Sequence, residues 1–492
     1  MYKKCLNYIL SQKHQNILFR LWVISSQQKL LAFAACFSLI ISSSISVLFP
    51  YNIGKFTHVF SNEEEFLKLS SKMKSLLGFL LLYGIISMGT RISIEMFSMG
   101  FIKEMRKTYF KSLMEKDIEF FDSKTSSDLF SLLTGEIENL KNTSIIEVAS
   151  IIKHVVETLG AFIGMFYVSF RLSMLLILLI PVIGIILNIS NGHRRKQFHD
   201  IHSHKKASHH IALESLENIR IVKAFSTEEK ELKKYENKLN EMAAIENNTL
   251  IKTTLIDFCL GALFVAGVMG IIRIGIYLLT HQSIGISNLT SFLLYCYMVF
   301  SSFMKLSQMS RRIVKSLYIA EKLFDVIDYV PKINPSKTGL QPVIKGEIKL
   351  NSIDFDYPLK KGATVLKNFS LAINKNESVG IVGSSGSGKT TLINLILRLY
   401  EINSSDNPKN TITIDGVNLK EIQLKFFHQK IGYVCQEPAL FNGTILDNIV
   451  YGVDAYSMQD VELAIKRAKA DFIFKEDMFP MGLKTNVGER GV

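Results

Sequence analysis

The sequence predicts a multi-domain membrane protein: an all-α domain of six transmembrane helices, followed by a partial α/β nucleotide-binding domain built on a phosphate loop. Three observations carry this prediction. Six apolar runs each approach the roughly 20 residues that cross a bilayer as a helix. Residues 383–390 read Gly-Ser-Ser-Gly-Ser-Gly-Lys-Thr, a complete G-x-x-x-x-G-K-[ST] motif. A composition of 48% hydrophobic residues and a mean hydropathy of +0.22 over 492 residues is too apolar for an ordinary soluble enzyme.

The first element is a basic segment over residues 1–29. It carries Lys3, Lys4, Lys13, Arg20 and Lys29, and no acidic residue precedes Glu63. That charge bias fits a mitochondrial presequence, although a single arginine makes the signal weak. An amphipathic helix lying on the headgroups, through Leu6, Ile9, Leu10, Ile17, Leu18 and Leu21, fits equally well. A secretory signal peptide does not fit.

The transmembrane domain follows over residues 30–309, with spans at 30–49, 75–94, 148–170, 172–192, 258–280 and 284–304. The third holds Lys153, His154 and Glu157, which must face the bundle interior or the interface. Residues 193–257 contain twelve lysines and arginines, whereas the turn after span three offers Arg171 alone and the turn after span five only His281. The positive-inside rule therefore places the N-terminus, both long loops and the C-terminal domain on one side. Those loops, 95–147 and 193–257, space their apolar residues as helices do and read as extensions of the spans.

Residues 310–343 form the link: a helical pattern through Ile313, Leu317, Ala320, Phe324 and Ile327, then Pro331, Pro335 and Gly339. The nucleotide domain occupies 344–492. Strands are predicted at 347–355 and 378–382, and a helix at 389–400, so the motif stands between a strand and a helix. In that setting glycines 383, 386 and 388 let consecutive backbone N–H groups face a phosphate, assisted by the helix N-terminus. Lys389 is placed for the β and γ phosphates and the Thr390 hydroxyl for Mg²⁺. The candidate ATP site is thus Gly383, Ser384, Ser385, Gly386, Ser387, Gly388, Lys389, Thr390 and Thr391.

With these motifs in place, nearly the whole chain resembles a half-transporter of the ATP-binding cassette (ABC) superfamily, of the B-type exporter group with the type I transmembrane fold. The resemblance implies an adenine-stacking role for Tyr357, within Asp354-Phe355-Asp356-Tyr357-Pro358, although a tyrosine there is by itself ordinary strand core. It implies that Gln436, within Tyr433-Val434-Cys435-Gln436, contacts Mg²⁺ and the attacking water. Residues 119–134, and 214–220 with Ala224 and Phe225, are similar to the two intracellular loops whose coupling helices dock on nucleotide domains. The first departs from the pattern, with Ser126-Ser127 where Thr-Gly is common and Leu132 where an arginine is common. Residues 485–491 are similar to the loop that relays domain closure.

The resemblance also implies a signature loop, an aspartate-glutamate pair and a switch histidine further along. None lies within residues 1–492, so the sequence offers no catalytic residue and reads as truncated ahead of the signature, as a genuine short chain or an incomplete gene reading. The implied activity is ATP-driven transport by a homodimer or heterodimer in a bilayer, most similar to mitochondrial inner-membrane members. The rival is a non-hydrolytic, regulatory or dominant-negative ATP-binding subunit. Transported substrate and direction stay open.

Other signals carry less. The net charge of +13 lies mainly beside apolar runs and no nucleic-acid reader motif accompanies it, so no nucleic acid is expected. Five scattered cysteines make no C-x-x-C pair. Six of the eleven histidines fall between His193 and His210; His199 and His202 are spaced for a shared metal, but a solvated basic helix face explains the cluster as well.

Overall fold

The computed structural model describes residues 19–21, 23, 29–58, 69–174, 207–208, 211–281, 284–334, 338–360, 362–402, 410–436, 439–453, 455–475 and 477–488. Its contacts divide the chain into two compact units, Met1–Lys332 and Ile333–Val492.

The first unit is helical. It contains α1 (Lys29–Thr57), α2 (Leu69–Met114), α3 (Ile118–Ser123), α4 (Ser126–Ser131), α5 (Ile137–Leu140), α6 (Glu147–Val168), α7 (Ile219–Ala224), α8 (Glu228–Thr280) and α9 (Ile286–Asp328). Two π-helical stretches, Leu132–Glu136 and Lys141–Ile146, lie on either side of α5. Among the described residues five helices are long and apolar enough to cross a membrane: α1, α2, α6, α8 and the stretch Ile286–Leu306 of α9. The fourth predicted span, 172–192, lies outside the described residues beyond its first three, as does the histidine cluster apart from residues that are not histidine.

The helices outrun the spans. α2 continues for 20 residues past Ile94, about 30 Å at 1.5 Å per residue. α8 begins with Glu228, Glu229 and Glu231 in its first turn, where carboxylates complement the helix dipole. One prediction needs correction at α1, which does not stop at Phe49 but runs through a buried Pro50 to Thr57. Proline removes one backbone donor from a helix; packing against α2, α6 and α9 outweighs that loss.

Within the membrane-spanning region α1, α6 and α9 meet around Ala161, Met165, Phe292, Tyr295, Cys296 and Val299. Two glycines permit the approach: a Cβ on Gly160 would lie 2.6 Å from Val47, and one on Gly164 2.6 Å from the Tyr295 ring. The Tyr295 hydroxyl donates to the Val47 carbonyl at 3.1 Å, tying α9 to α1. Gly164→Val is therefore expected to cost about 1–3 kcal/mol through overpacking. A detergent melt unchanged by this substitution would count against the packing described.

The polar residues of the third span face inward, as expected. His154 and Glu157 are buried and meet at 2.9 Å, Ser46 of α1 donates to Glu157 at 3.0 Å, and Lys153 stands 3.8 Å away. Arg312 of α9 pairs with the buried Glu147 at the head of α6.

Beyond the membrane a second core joins α2, α4, α5 and α9. Phe101, Ile102, Met105, Tyr109 and Leu113 recur at three-to-four spacing along α2 and pack on Leu317, Ala320, Leu323 and Phe324 of α9. Leu132 is buried in this cluster, which accounts for an apolar residue where the family usually has an arginine. Asp117 and Thr125 cap α3 and α4, accepting from Phe120 N at 3.1 Å and Asp128 N at 3.2 Å. α9 carries on without a break from the last span to Asp328, and a non-helical chain follows.

The second unit contains β1 (Ile348–Asp356), β2 (Thr364–Ile373), α10 (Lys389–Ile396), β3 (Thr411–Ile414), β4 (Val417–Asn418), α11 (Leu424–His428), β5 (Gly443–Thr444), α12 (Ile445–Ile449), α13 (Met458–Arg467) and β6 (Asn486–Val487). A four-stranded sheet has the order β2-β1-β3-β4, antiparallel throughout; β5 and β6 form a separate pair. Leu350, Ile353 and Phe355 of β1 meet Leu392 and Leu395 of α10 in its core.

Two further predictions are corrected here. Residues 378–382 form no strand; Val382 is 95% exposed, and no described strand pairs with the segment. An extended stretch without a ladder partner has no inter-strand hydrogen bonds to hold it. The helix predicted at 389–400 ends at Ile396, because Arg398 takes a left-handed φ of 53° and turns the chain.

Asp415 closes the β3–β4 turn by accepting from the N–H groups of Lys345, Gly346 and Glu347 at 2.7, 3.1 and 3.1 Å. Burial pushes its carboxyl up, but the three donors together outweigh burial and hold it below the usual carboxylate value. A depressed folded value means this stabilisation is present above the unfolded pKa and is lost as pH falls through the folded one. The melting temperature of the second unit should therefore fall below about pH 4, and Asp415→Asn should flatten that acid arm. An identical acid arm in the variant would remove Asp415 from the explanation.

Candidate nucleotide-binding site

The site is built on the N-terminus of α10. Gly388 occupies the N-cap in a left-handed conformation, φ 91°, and Gly386 has φ 81°, so both use backbone geometry that other residues resist. Gly388 is also pressed against β2, where a Cβ would stand 3.0 Å from Leu366. Buried Leu392 and Leu395 anchor the helix behind the loop. The loop itself, Gly383 to Ser387, is exposed.

Lys389 folds back over this loop. Its Nζ donates to the Gly383 carbonyl at 2.9 Å and to the Ser384 carbonyl at 2.7 Å. The ammonium is thus stationed inside the curve that the glycines define, satisfied by weak neutral acceptors that an anionic ligand can outcompete. Thr390 is exposed in the first turn with its hydroxyl accessible, whereas Thr391 is buried. This arrangement fits a polyphosphate with a divalent cation: Lys389 and the loop N–H groups would hold the phosphates, and Thr390 the metal.

Tyr357 is brought beside the site. Its hydroxyl meets Thr391 Oγ1 at 2.9 Å, and its ring lies nearly perpendicular to Phe355 and Tyr400, with centroids 5.1 Å away in each case. Gln436 is exposed and makes no hydrogen bond to the loop among the described residues. The support that Leu366 and Val365 give Gly388 was not foreseen from the sequence; both lie more than 20 positions away, and no local pattern marks them. Among the described residues no three His, Cys, Asp or Glu side chains are grouped to hold a metal.

Comparison with known families assigns both halves of the chain. Residues 32–303 match the ABC transporter transmembrane region, and residues 366–485 match the ABC transporter family. The chain belongs to the ABC transporters.

Within this family, ABC transporter B family member 1 of Dictyostelium discoideum is 30% identical over 496 aligned positions, covering 100% of this chain and 53% of that protein. The mitochondrial ATP-dependent permease MDL1 of Schizosaccharomyces pombe is 28% identical over 482 positions, covering 96% and 65%. The mitochondrial potassium channel ATP-binding subunit of Mus musculus is 29% identical over 446 positions, covering 89% and 60%. The ABC chain therefore spans about half to two thirds of the length of these relatives.

Proposed function

We propose that this chain is the membrane and nucleotide-binding part of an ATP-driven exporter that works as a homodimer or heterodimer in the mitochondrial inner membrane. The observation that carries the proposal is a phosphate loop holding Lys389 in place, on the same chain as helices of spanning length. The names of the yeast and mouse relatives support the mitochondrial placement.

In this reading Gly383 to Thr391 receive ATP. Lys389 exchanges its two carbonyl partners for the β and γ phosphates, Thr390 meets Mg²⁺, Tyr357 stands for the adenine, and Gln436 approaches the metal on closure. Bound ATP with Mg²⁺ supplies the free energy of hydrolysis. A second reading is an ATP-binding subunit without turnover of its own; the name of the mouse relative, an ATP-binding subunit, supports the binding part of it.

Titrating the full chain in nanodiscs with fluorescent ATP tests the common ground of both readings. Saturable, Mg²⁺-dependent binding is expected; its absence overturns both. Mixing the chain with a full-length partner and measuring ATPase per complex then separates them, because normal turnover counts against the non-hydrolytic subunit.

A further inference from the structure

Three segments far apart in sequence meet at the end of α9: residues 116–119, the helix end with residues 327–332, and a short stretch near residue 20. Lys116, just after α2, donates through Nζ to the Ile327 and Tyr329 carbonyls at 3.1 and 2.7 Å, closing the helix C-terminus. Asp117 accepts from Lys332 N at 2.8 Å and from the Tyr329 hydroxyl at 3.2 Å, while Lys332 Nζ pairs with Glu119 at 2.7 Å. The third segment is N-terminal. Arg20 sends both terminal guanidinium nitrogens to the two carboxylate oxygens of Asp328, at 2.5 and 2.6 Å, and its guanidinium carbon lies 4.0 Å from the centre of the Phe324 ring. Leu21, the next residue, is buried in the α2–α9 core.

An exposed ion pair alone contributes little. Here a bidentate pair and a stacked ring, both made by the Arg20 guanidinium, coincide with the burial of the adjacent Leu21. Arg20 also stands 308 positions from its partner, so nothing in local chain geometry forces the contact.

We propose that the segment around Arg20 and Leu21 is a latch that holds the C-terminal end of α9, and that any maturation cut in the basic N-terminal segment falls ahead of Arg20. A leader can then occupy only the part before Arg20, while Arg20 and Leu21 serve the fold.

The groups facing Asp328 are Arg20 and Lys116, with Glu115 and Asp117 beside that lysine. The hydrogen bond from Arg20, ahead of the nearby positive charges, holds the Asp328 carboxyl below the usual carboxylate value. Asp328 is therefore charged at neutral pH, and the ion pair loses its charge only as pH falls through that lowered value.

Two measurements on the full chain test the proposal. Hydrogen exchange in nanodiscs should show the amides of residues 322–332 exchanging roughly threefold to tenfold faster in Arg20→Asp, with protection restored in the Arg20→Asp, Asp328→Arg double variant. Unchanged exchange in the single variant, or no recovery in the double, overturns the latch. N-terminal sequencing of protein from its native membrane does not depend on any variant folding. A mature N-terminus at or before Arg20 is expected; one beyond Arg20 overturns the proposal.

Discussion

Lys389→Ala should weaken Mg²⁺-ATP binding about 10- to 100-fold while leaving the second unit folded. Among the described residues the lysine makes two hydrogen bonds, both to carbonyls of its own loop, and it is not part of the core that secures α10. Its removal therefore acts on ligand rather than fold. A charge-assisted contact to phosphate is worth about 1.5–3 kcal/mol, which corresponds to roughly 10- to 100-fold in affinity. Anisotropy of a fluorescent ATP measures the affinity, and a melt of the same sample measures the fold. Equal affinity in the variant would show that the loop does not use this ammonium for phosphate.

Asp117→Ala should be strongly destabilising beyond the membrane. The carboxylate is buried and serves three donors at once: Phe120 N at the cap of α3, Lys332 N, and the Tyr329 hydroxyl. Truncation strands two backbone N–H groups and a phenol, at about 2–4 kcal/mol together. Asp117→Asn keeps one carbonyl oxygen for the cap and should lose less. The same carboxylate helps raise the Tyr329 phenol: burial comes first, then the charge and hydrogen bond of Asp117 and the charge of Glu119, taking it to about 12. A melt of the alanine variant within error of the parent would mean that the junction is held elsewhere.

These sites differ in how visible they are along the chain. The loop that holds Lys389 was legible because phosphate binding needs its glycines and lysine at fixed short spacing, and the left-handed angles of Gly386 and Gly388 are the conformations that spacing anticipates. Asp117 carried no such mark: it reads as one acidic residue in a charged turn, and its partners at Tyr329 and Lys332 lie more than 200 positions away. For Tyr357 the family resemblance implies an adenine-stacking face, and the structure places its hydroxyl on Thr391 and its ring edge-on to both Phe355 and Tyr400.

What the sequence by itself determined is local. Apolar runs of spanning length, helical periodicity in the extensions and the chemistry of the phosphate loop each follow from residues within a single window, where composition and spacing suffice. Tertiary structure alone decided the passage of α1 through Pro50, the lack of a strand at 378–382 and the seating of Arg20 on Asp328. In each case the outcome depends on whether a partner distant in sequence supplies the packing or hydrogen bonds, and no window of the sequence contains that partner.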